Sequence, residues 1–269
     1  MPLIRIDRPD DPRVAPFRAV KERDLTGREG LFIAEGEVVI RVLASPASRC
    51  STEALLLAEN RLERMADVIA ALPDTPVLVA GQAVLDGIAG FHLHRGMLAL
   101  GRKPEAPEAA DLLASLPSQG VVVVVGGVGN HDNMGGIFRS AAAFGAAAVL
   151  LDDRCCDPFY RKAIRVSVGA VLRTPQAAPA PLSVLADALE TQGFEAIALT
   201  PSASEPLHLA SAGGRVALLL GSEGPGLPPE IISRCKGLAI PMSGGFDSLN
   251  VATAGAIALH HFTRARGRD

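Results

Sequence analysis

The chain has 269 residues, 48% of them hydrophobic and 20% charged, with a formal net charge of −3. That is apolar material enough for one large or two modest cores. The weak negative charge excludes a global attraction to nucleic acid, so any polyanion has to be met by local patches. The four cysteines, Cys50, Cys155, Cys156 and Cys235, lack CxxC spacing, which points to reduced thiols and away from a zinc site or a disulfide framework. No metal is expected. The longest nearly apolar run, Ala141–Leu151, is broken by Gly145 and too short to span a bilayer, and the charged N-terminus lacks the apolar segment of a signal peptide, so a cytoplasmic location is expected.

Met1–Arg28, rich in charge and proline, reads as an arm or exposed extension. From Gly30 to about Arg102, short apolar strands alternate with helices: LFIAEG, a helix through Val38–Ala44, a strand Ala54–Ala58, a helix near Arg61–Leu72, the strand PVLVA, a helix over Gln82–Ile88 and a strand Met97–Leu100. This predicts a small α/β domain over 1–105. Residues 106–119, rich in Pro, Ala and Glu with a marginal helix in the middle, read as a linker. A second domain, 120–269, opens with the β-branched run Val121–Val125, which predicts a buried parallel strand. GGVGNHDNMGGIFRSAAAFG then leads into a helix ending near Phe144, with Gly145 as its C-cap.

After a strand at Ala147–Leu151, a helix is expected over Phe159–Gly169. Arg154, Arg161, Lys162, Arg165 and Arg173 make this the most one-sidedly basic region, a candidate contact for RNA phosphates or simply a solvated helix face. A helix near Leu182–Gln192 and a strand Phe194–Leu199 follow. Because strand and helix alternate, the second sheet should be parallel. The strands Val216–Leu220 and Leu238–Pro241 each stop at loops rich in Gly, Ser and Asn. Ligands of open α/β sheets bind where strands end, so two loops converging on one ligand are expected there, with backbone amides exposed by Gly221, Gly224, Gly226, Gly244 and Gly245.

Strand, glycine loop and helix also raise a dinucleotide-binding reading, an NAD-dependent oxidoreductase with Gly126–Gly129 around the cofactor and Asp152 and Asp153 as ribose ligands. The spacing argues against it, because the third glycine is out of place and GSEGPG has no following Lys-Ser/Thr.

Three motifs carry a resemblance: Asn133-x5-Arg139 in DNMGGIFRSAAAFG, Gly221-Ser-Glu-Gly-Pro-Gly-Leu227, and IPMSGGFDSLNVATAGAI. In order and spacing they resemble the SpoU/TrmH branch of the SPOUT RNA methyltransferases. Upstream, FIAEGEVVI with Glu35-Gly36, and His94-Arg-Gly96, resemble the ribosomal-protein-like substrate-binding domain of family members. The resemblance implies a 2′-O-ribose methyltransferase acting on tRNA or rRNA with S-adenosylmethionine. It also implies a parallel α/β sheet with a C-terminal trefoil knot, and a homodimer formed through the catalytic domains. A catalytically inactive RNA-binding module of the same fold is the other reading, against which the intact Asn133, Arg139, Glu223 and Asn250 argue.

The implied catalytic set is Arg139, Asn133, Glu223, Ser248 and Asn250. The implied cofactor set is Leu199, Thr200, Gly221, Ser222, Glu223, Gly226, Ile240, Met242, Leu249, Asn250 and Ala252. Substrate contacts are expected at Glu35, Arg95, Arg154, Arg161, Lys162 and Arg165. Methyl transfer from a sulfonium is an in-line displacement, so positioning is the protein's main task. Arg139, protonated in ordinary circumstances, suits a phosphate clamp or a stabiliser of the developing alkoxide better than a base. Asn133 could bond Arg139 or cap its helix, Glu223 could orient Arg139, and Ser248 could position substrate groups or cap the last helix.

Overall fold

The computed structural model describes residues 3–18, 30–211, 213–244 and 248–264. Its α-helices in chain order are α1 (Glu37–Leu43), α2 (Ala66–Ala71), α3 (Gln82–Ala89), α4 (Ala109–Ser115), α5 (His131–Ala143), α6 (Arg161–Val166), α7 (Leu182–Thr191), α8 (Pro229–Ile232) and α9 (Val251–Thr263). The chain divides into two compact units, one made of Met1–Pro104 with Asp157–Arg173 and the other of Glu105–Cys156 with Thr174–Asp269.

The first unit is built on a mixed sheet of β1 (Leu3–Ile6), β2 (Leu31–Glu35), β3 (Ser51–Ala58), β4 (Val77–Ala80) and β5 (Met97–Arg102), in the order β1-β4-β3-β5-β2. β4 runs parallel to β1 and β3, whereas β5 is antiparallel to β2 and β3. The central strand is covered on both faces, which is why Leu55, Leu56 and Leu57 are all fully buried and the strand reads as an apolar run rather than an alternation. The expected exposed arm is corrected here: Leu3–Ile6 pairs along β4, and Val14 and Phe17 enter the core, because three apolar side chains outweigh the surrounding charges. The rest of that stretch, 19–29, lies outside the described residues.

The segment Asp157–Arg173 completes this unit from a distant part of the chain. The Phe159 ring lies 5.3 Å from that of Phe32, Lys103 Nζ meets Asp157 Oδ2 at 2.6 Å, and Arg49 N–H donates to Leu172 O at 2.9 Å. Gly169, at φ +81°, leaves its Cβ position 3.0 Å from Val42 Cβ, so a side chain there would be strained and crowded. The boundary drawn from the sequence, with everything from 120 onward in one domain, is therefore crossed by this segment. The linker reading of 106–119 also needs revision: Ala109, Leu112 and Leu113 of α4 are buried in the core of the second unit, with α7.

The second unit has β6 (Gly120–Val125), β7 (Ala148–Leu151), β8 (Glu195–Leu199), β9 (Arg215–Leu220) and β10 (Lys236–Leu238), in the order β10-β8-β9-β6-β7. All four pairings are parallel. Val121–Val125 are at most 1% exposed, as expected of the middle of a sheet covered on both sides. The register sets Leu199 beside Leu238, and Val125 beside both Leu151 and Leu220. The strands thus end at one level, and the loops that leave them are brought to one edge. Helix α9 packs closely on both α5 and β9: a Cβ on Gly136 of α5 would lie 2.9 Å from Ala252 Cβ, and one on Gly255 would lie 2.8 Å from Leu220 Cδ1. That approach explains the small-residue run at the start of α9.

Candidate functional site

A cleft of about 260 Å³ opens at the C-terminal edge of the parallel sheet. Its floor contains the last residue of three strands, Leu199, Leu220 and Leu238, and its walls are the loops that follow them. Of the residues expected to hold a cofactor, Leu199, Thr200, Gly221, Ser222, Glu223, Gly226, Ile240, Met242 and Leu249 line it. Ser248, expected among the catalytic residues, lines it too. Asn250 and Ala252 do not line it but flank Val251, which does.

The loop after β9 is shaped by its glycines. Gly224 and Gly226 have φ of +88° and +71°, a conformation that L side chains rarely adopt. Gly221 works differently from the expectation that it bares an amide to the ligand. A Cβ there would lie 2.4 Å from both the Gly226 carbonyl carbon and Leu227 N, so the glycine is required by the loop's own return path. Gly226 N–H donates to Ser222 O at 3.1 Å and closes that turn. Gly244, at φ +71°, belongs to the loop after β10, and Gly245 lies outside the described residues.

Three stretches that are remote in sequence meet through side-chain amides. Asn133, 6% exposed on α5, donates from Nδ2 to Glu223 Oε1 and accepts at Oδ1 from Asn250 Nδ2 at 2.8 Å. Asn250 Oδ1 in turn accepts from Ala252 N–H and Thr253 N–H at 3.0 and 3.2 Å, so it caps α9. Ser248 is not that cap. Nor does Asn133 cap α5; Asn130 does, accepting from Asp132 N–H at 2.8 Å. Asn130 was legible as a cap, being Asn just before the helical run and followed by an acid in the first turn.

Arg139 lies further along α5 with its side chain exposed, and among the described residues its guanidinium has no hydrogen-bond or ion-pair partner. Glu223 pairs with Asn133 instead of orienting Arg139. An unpaired guanidinium keeps its whole donor fork for an outside oxyanion.

The expected RNA contacts separate into two places. In the first unit, Glu35 is buried, with Arg161 Nη1 at 3.4 Å and Arg165 Nη1 at 3.7 Å. Arg95 packs over Gly36, whose Cβ position is 2.7 Å from Arg95 Nη1. Lys162 shares α6 with both arginines. The half-exposed ring of Phe91 lies under Arg161, 4.7 Å from its guanidinium carbon, and was not singled out from the sequence because a lone Phe carries no signal. Arg154 belongs to the second unit, beyond β7.

Among the described residues no group of three or more His, Cys, Asp and Glu is placed to hold a metal, and no helix is long and apolar enough to cross a membrane. The cleft suits a ligand that is part apolar and part cationic. Leu199, Leu220, Leu238, Ile240, Met242 and Leu249 supply an apolar slot, and among the described residues Glu223 is the one acidic side chain in the lining. These are the features that S-adenosylmethionine requires.

An all-parallel α/β unit with its ligand cleft at the in-register ends of three strands, closed by a Glu-Asn-Asn bridge, defines the class. A model described as the SpoU rRNA Methylase family matches residues 120–260. An uncharacterized tRNA/rRNA methyltransferase of Mycobacterium bovis is 39% identical over 267 residues, covering 96% of this chain and 90% of that protein. A 23S rRNA (guanosine-2′-O-)-methyltransferase of Xanthomonas campestris is 32% identical over 186 residues, 68% of this chain and 75% of that one. In fold, the crystal structure of an AdoMet-bound rRNA methyltransferase from Sinorhizobium meliloti matches with a TM-score of 0.83 and 24% identity, over 99% of both chains. The chain belongs to the SpoU rRNA methylase family.

The dinucleotide reading is thereby set aside. Its own geometry also fails: a Cβ on Gly126 would meet Leu182 Cδ1 at 2.9 Å, so that glycine serves packing. Asp152, the supposed ribose ligand, is 1% exposed and bonded to Arg154.

Proposed function

We propose that this protein transfers a methyl group from S-adenosylmethionine to a ribose 2′-hydroxyl of ribosomal or transfer RNA. The observation that carries this reading is the bridge from Glu223 through Asn133 to Asn250, which ties all three motif stretches around one apolar cleft with the Glu223 carboxylate in its wall. S-adenosylmethionine, when bound, supplies an electrophilic methyl on a sulfonium. The chain's task is alignment and exclusion of water. Leu199, Leu220 and Leu238 enclose the apolar part of the ligand, Glu223 faces its positive charge, and Ser248 and Leu249 close the side nearest α9. Arg139, with its fork unspent, grips the phosphate beside the target ribose or stabilises the alkoxide as it develops.

The Glu35 cluster, with Arg161 and Arg165 on one buried carboxylate, Arg95 over Gly36 and Lys162 on the same helix as the two arginines, holds further RNA. The protein works in the cytoplasm, where both RNA and cofactor are found. The catalytic unit pairs with a second copy through the catalytic domain, a reading supported by Ile257, 41% exposed on α9. A C-terminal knot belongs to the same reading, supported by the return of the chain from β10, at the sheet edge, to place α9 against α5. The deciding experiment incubates the full chain with tritiated S-adenosylmethionine and unmethylated rRNA or tRNA transcripts. Label is expected in nucleotides that resist alkaline hydrolysis, as 2′-O-methylation requires. Label confined to bases would overturn the reading.

A further inference from the structure

The buried carboxylate of Asp152 has no part in the chemistry above. It follows the last residue of β7, and its N–H donates to Val125 O at 2.9 Å, which fixes it at the same sheet edge as the cleft. It is 1% exposed, Oδ1 has no hydrogen-bond partner, and Oδ2 accepts from Arg154 Nε at 2.9 Å. Burial pushes its carboxyl above the usual range, the adjoining Asp153 carboxyl pushes the same way, and Arg154 opposes both. A buried acid with an unsatisfied oxygen is a standing cost, and among the described residues its one ion pair is with a side chain that is 63% exposed.

The arrangement around Arg154 is rigid and unspent. Its turn is closed by Cys155 N–H on Asp152 O at 2.9 Å. Cys155 Sγ on Val125 O at 3.3 Å and Cys156 N–H on Val128 O at 2.9 Å pin that turn to β6 and to the glycine loop. Because Asp152 takes only Nε, both terminal nitrogens of Arg154 are without a partner among the described residues. The site also borders the cleft. The Cβ position of Gly127, itself at φ +64°, lies 4.0 Å from Asp152 Oδ2 and 3.7 Å from Ser222 Oγ, and Ser222 lines the cleft.

We propose that Asp152 is a positioning residue that holds Arg154 over the Gly126–Gly129 loop as a clamp for a phosphate of the RNA strand presented to the cleft. A guanidinium anchored through Nε points its two terminal nitrogens outward as a planar fork, the geometry that two phosphate oxygens accept. Anchoring it in advance removes the ordering cost that a free surface arginine would incur on binding. The inference rests on the functional reading above and adds a further phosphate grip to Arg139 and the Glu35 cluster.

The test uses the full chain and an unmethylated 23S rRNA transcript as the probe. RNA affinity is measured across a salt series, S-adenosylmethionine affinity by calorimetry, and methyl transfer at limiting and saturating RNA. Arg154→Ala is expected to weaken RNA binding roughly tenfold and to lower the salt slope by roughly 0.7–0.9. KM for RNA rises while kcat and cofactor affinity hold. Asp152→Asn keeps the shape but not the charge and should move KM and affinity the same way by a smaller factor, with no further effect when added to Arg154→Ala. Arg154→Lys, which keeps the charge without the fork, should restore the salt slope but not the affinity, and it carries the test if Asp152→Asn fails to fold. An Arg154→Ala protein with wild-type slope and KM overturns the clamp alone. A wild-type protein that binds no RNA overturns the functional reading and the clamp with it.

Discussion

Asn133 gives its amide nitrogen to Glu223 and its carbonyl to Asn250, so its orientation follows from its partners rather than from an amide that could face either way. Asn250 is the more informative residue to change, because one side chain performs two separable tasks. Asn250→Asp keeps an oxygen for the α9 cap, worth about 1 kcal/mol, but removes the Nδ2 donor and sets a carboxylate against Asn133 Oδ1. Thermal stability should therefore fall little while S-adenosylmethionine affinity drops, as calorimetry beside a melting curve would show; equal losses in both would mean that the bridge is only structural. Arg139→Ala isolates the other half of the site. With no partner to orphan among the described residues, the protein should fold and bind cofactor normally. Methyl transfer should fall by about 10²-fold if one transition-state contact is lost, and near-normal turnover in a single-turnover assay would remove Arg139 from the chemistry.

At the scale of the element, the loop after β9 is a self-supporting turn. Gly221→Val would set a branched side chain 2.4 Å from the backbone at Gly226 and Leu227, and neither atom is at the end of a flexible chain. The loop must open, and Ser222 and Glu223 move with it. The expected result is loss of cofactor binding with the circular dichroism of the sheet unchanged, and Gly221→Ala should already show most of it. Helices α5 and α9 work under a similar constraint, because Gly136 lets α5 pass close against Ala252 of α9, while Gly255 seats α9 on the Leu220 side chain of β9. That approach brings Asn133 and Asn250 within reach of each other.

For the whole molecule, the interleaving of the units matters most. A fragment lacking residues 1–105 would carry the complete cleft but would strip Asp157–Arg173 of Phe32, Val42, Arg49 and Lys103. Phe159, Ile164, Val171 and Leu172, now buried, would then be exposed, and a contiguous apolar patch of that kind drives association. The fragment should aggregate or elute as large species in size-exclusion chromatography, whereas one that also replaces 157–173 with a short polar linker should stay in solution. If the simple deletion is monodisperse, the segment does not depend on the first unit.

Much of this protein is decided locally and can be read from its residues. The β-branched run Val121–Val125 can hardly be anything but a buried strand, Gly145 ends α5 at φ +72°, and the alternation of strand and helix makes the second sheet parallel. The motif spacing likewise located the loops around the cleft, since strand ends and glycine turns are local properties. Partner choice is not local. Nothing in the sequence near Asn133 says that Glu223 and Asn250 flank it, or near Arg161 that Glu35 does. Those pairings join residues up to 126 positions apart. They depend on strand order, register and the close crossing of α5 with α9, which exist only once the chain has closed on itself. The same reason explains the misjudged arm and linker. Leu3–Ile6 and Leu112–Leu113 are short apolar runs in polar surroundings, and only an edge strand to pair with, or a core to enter, decides that they are ordered.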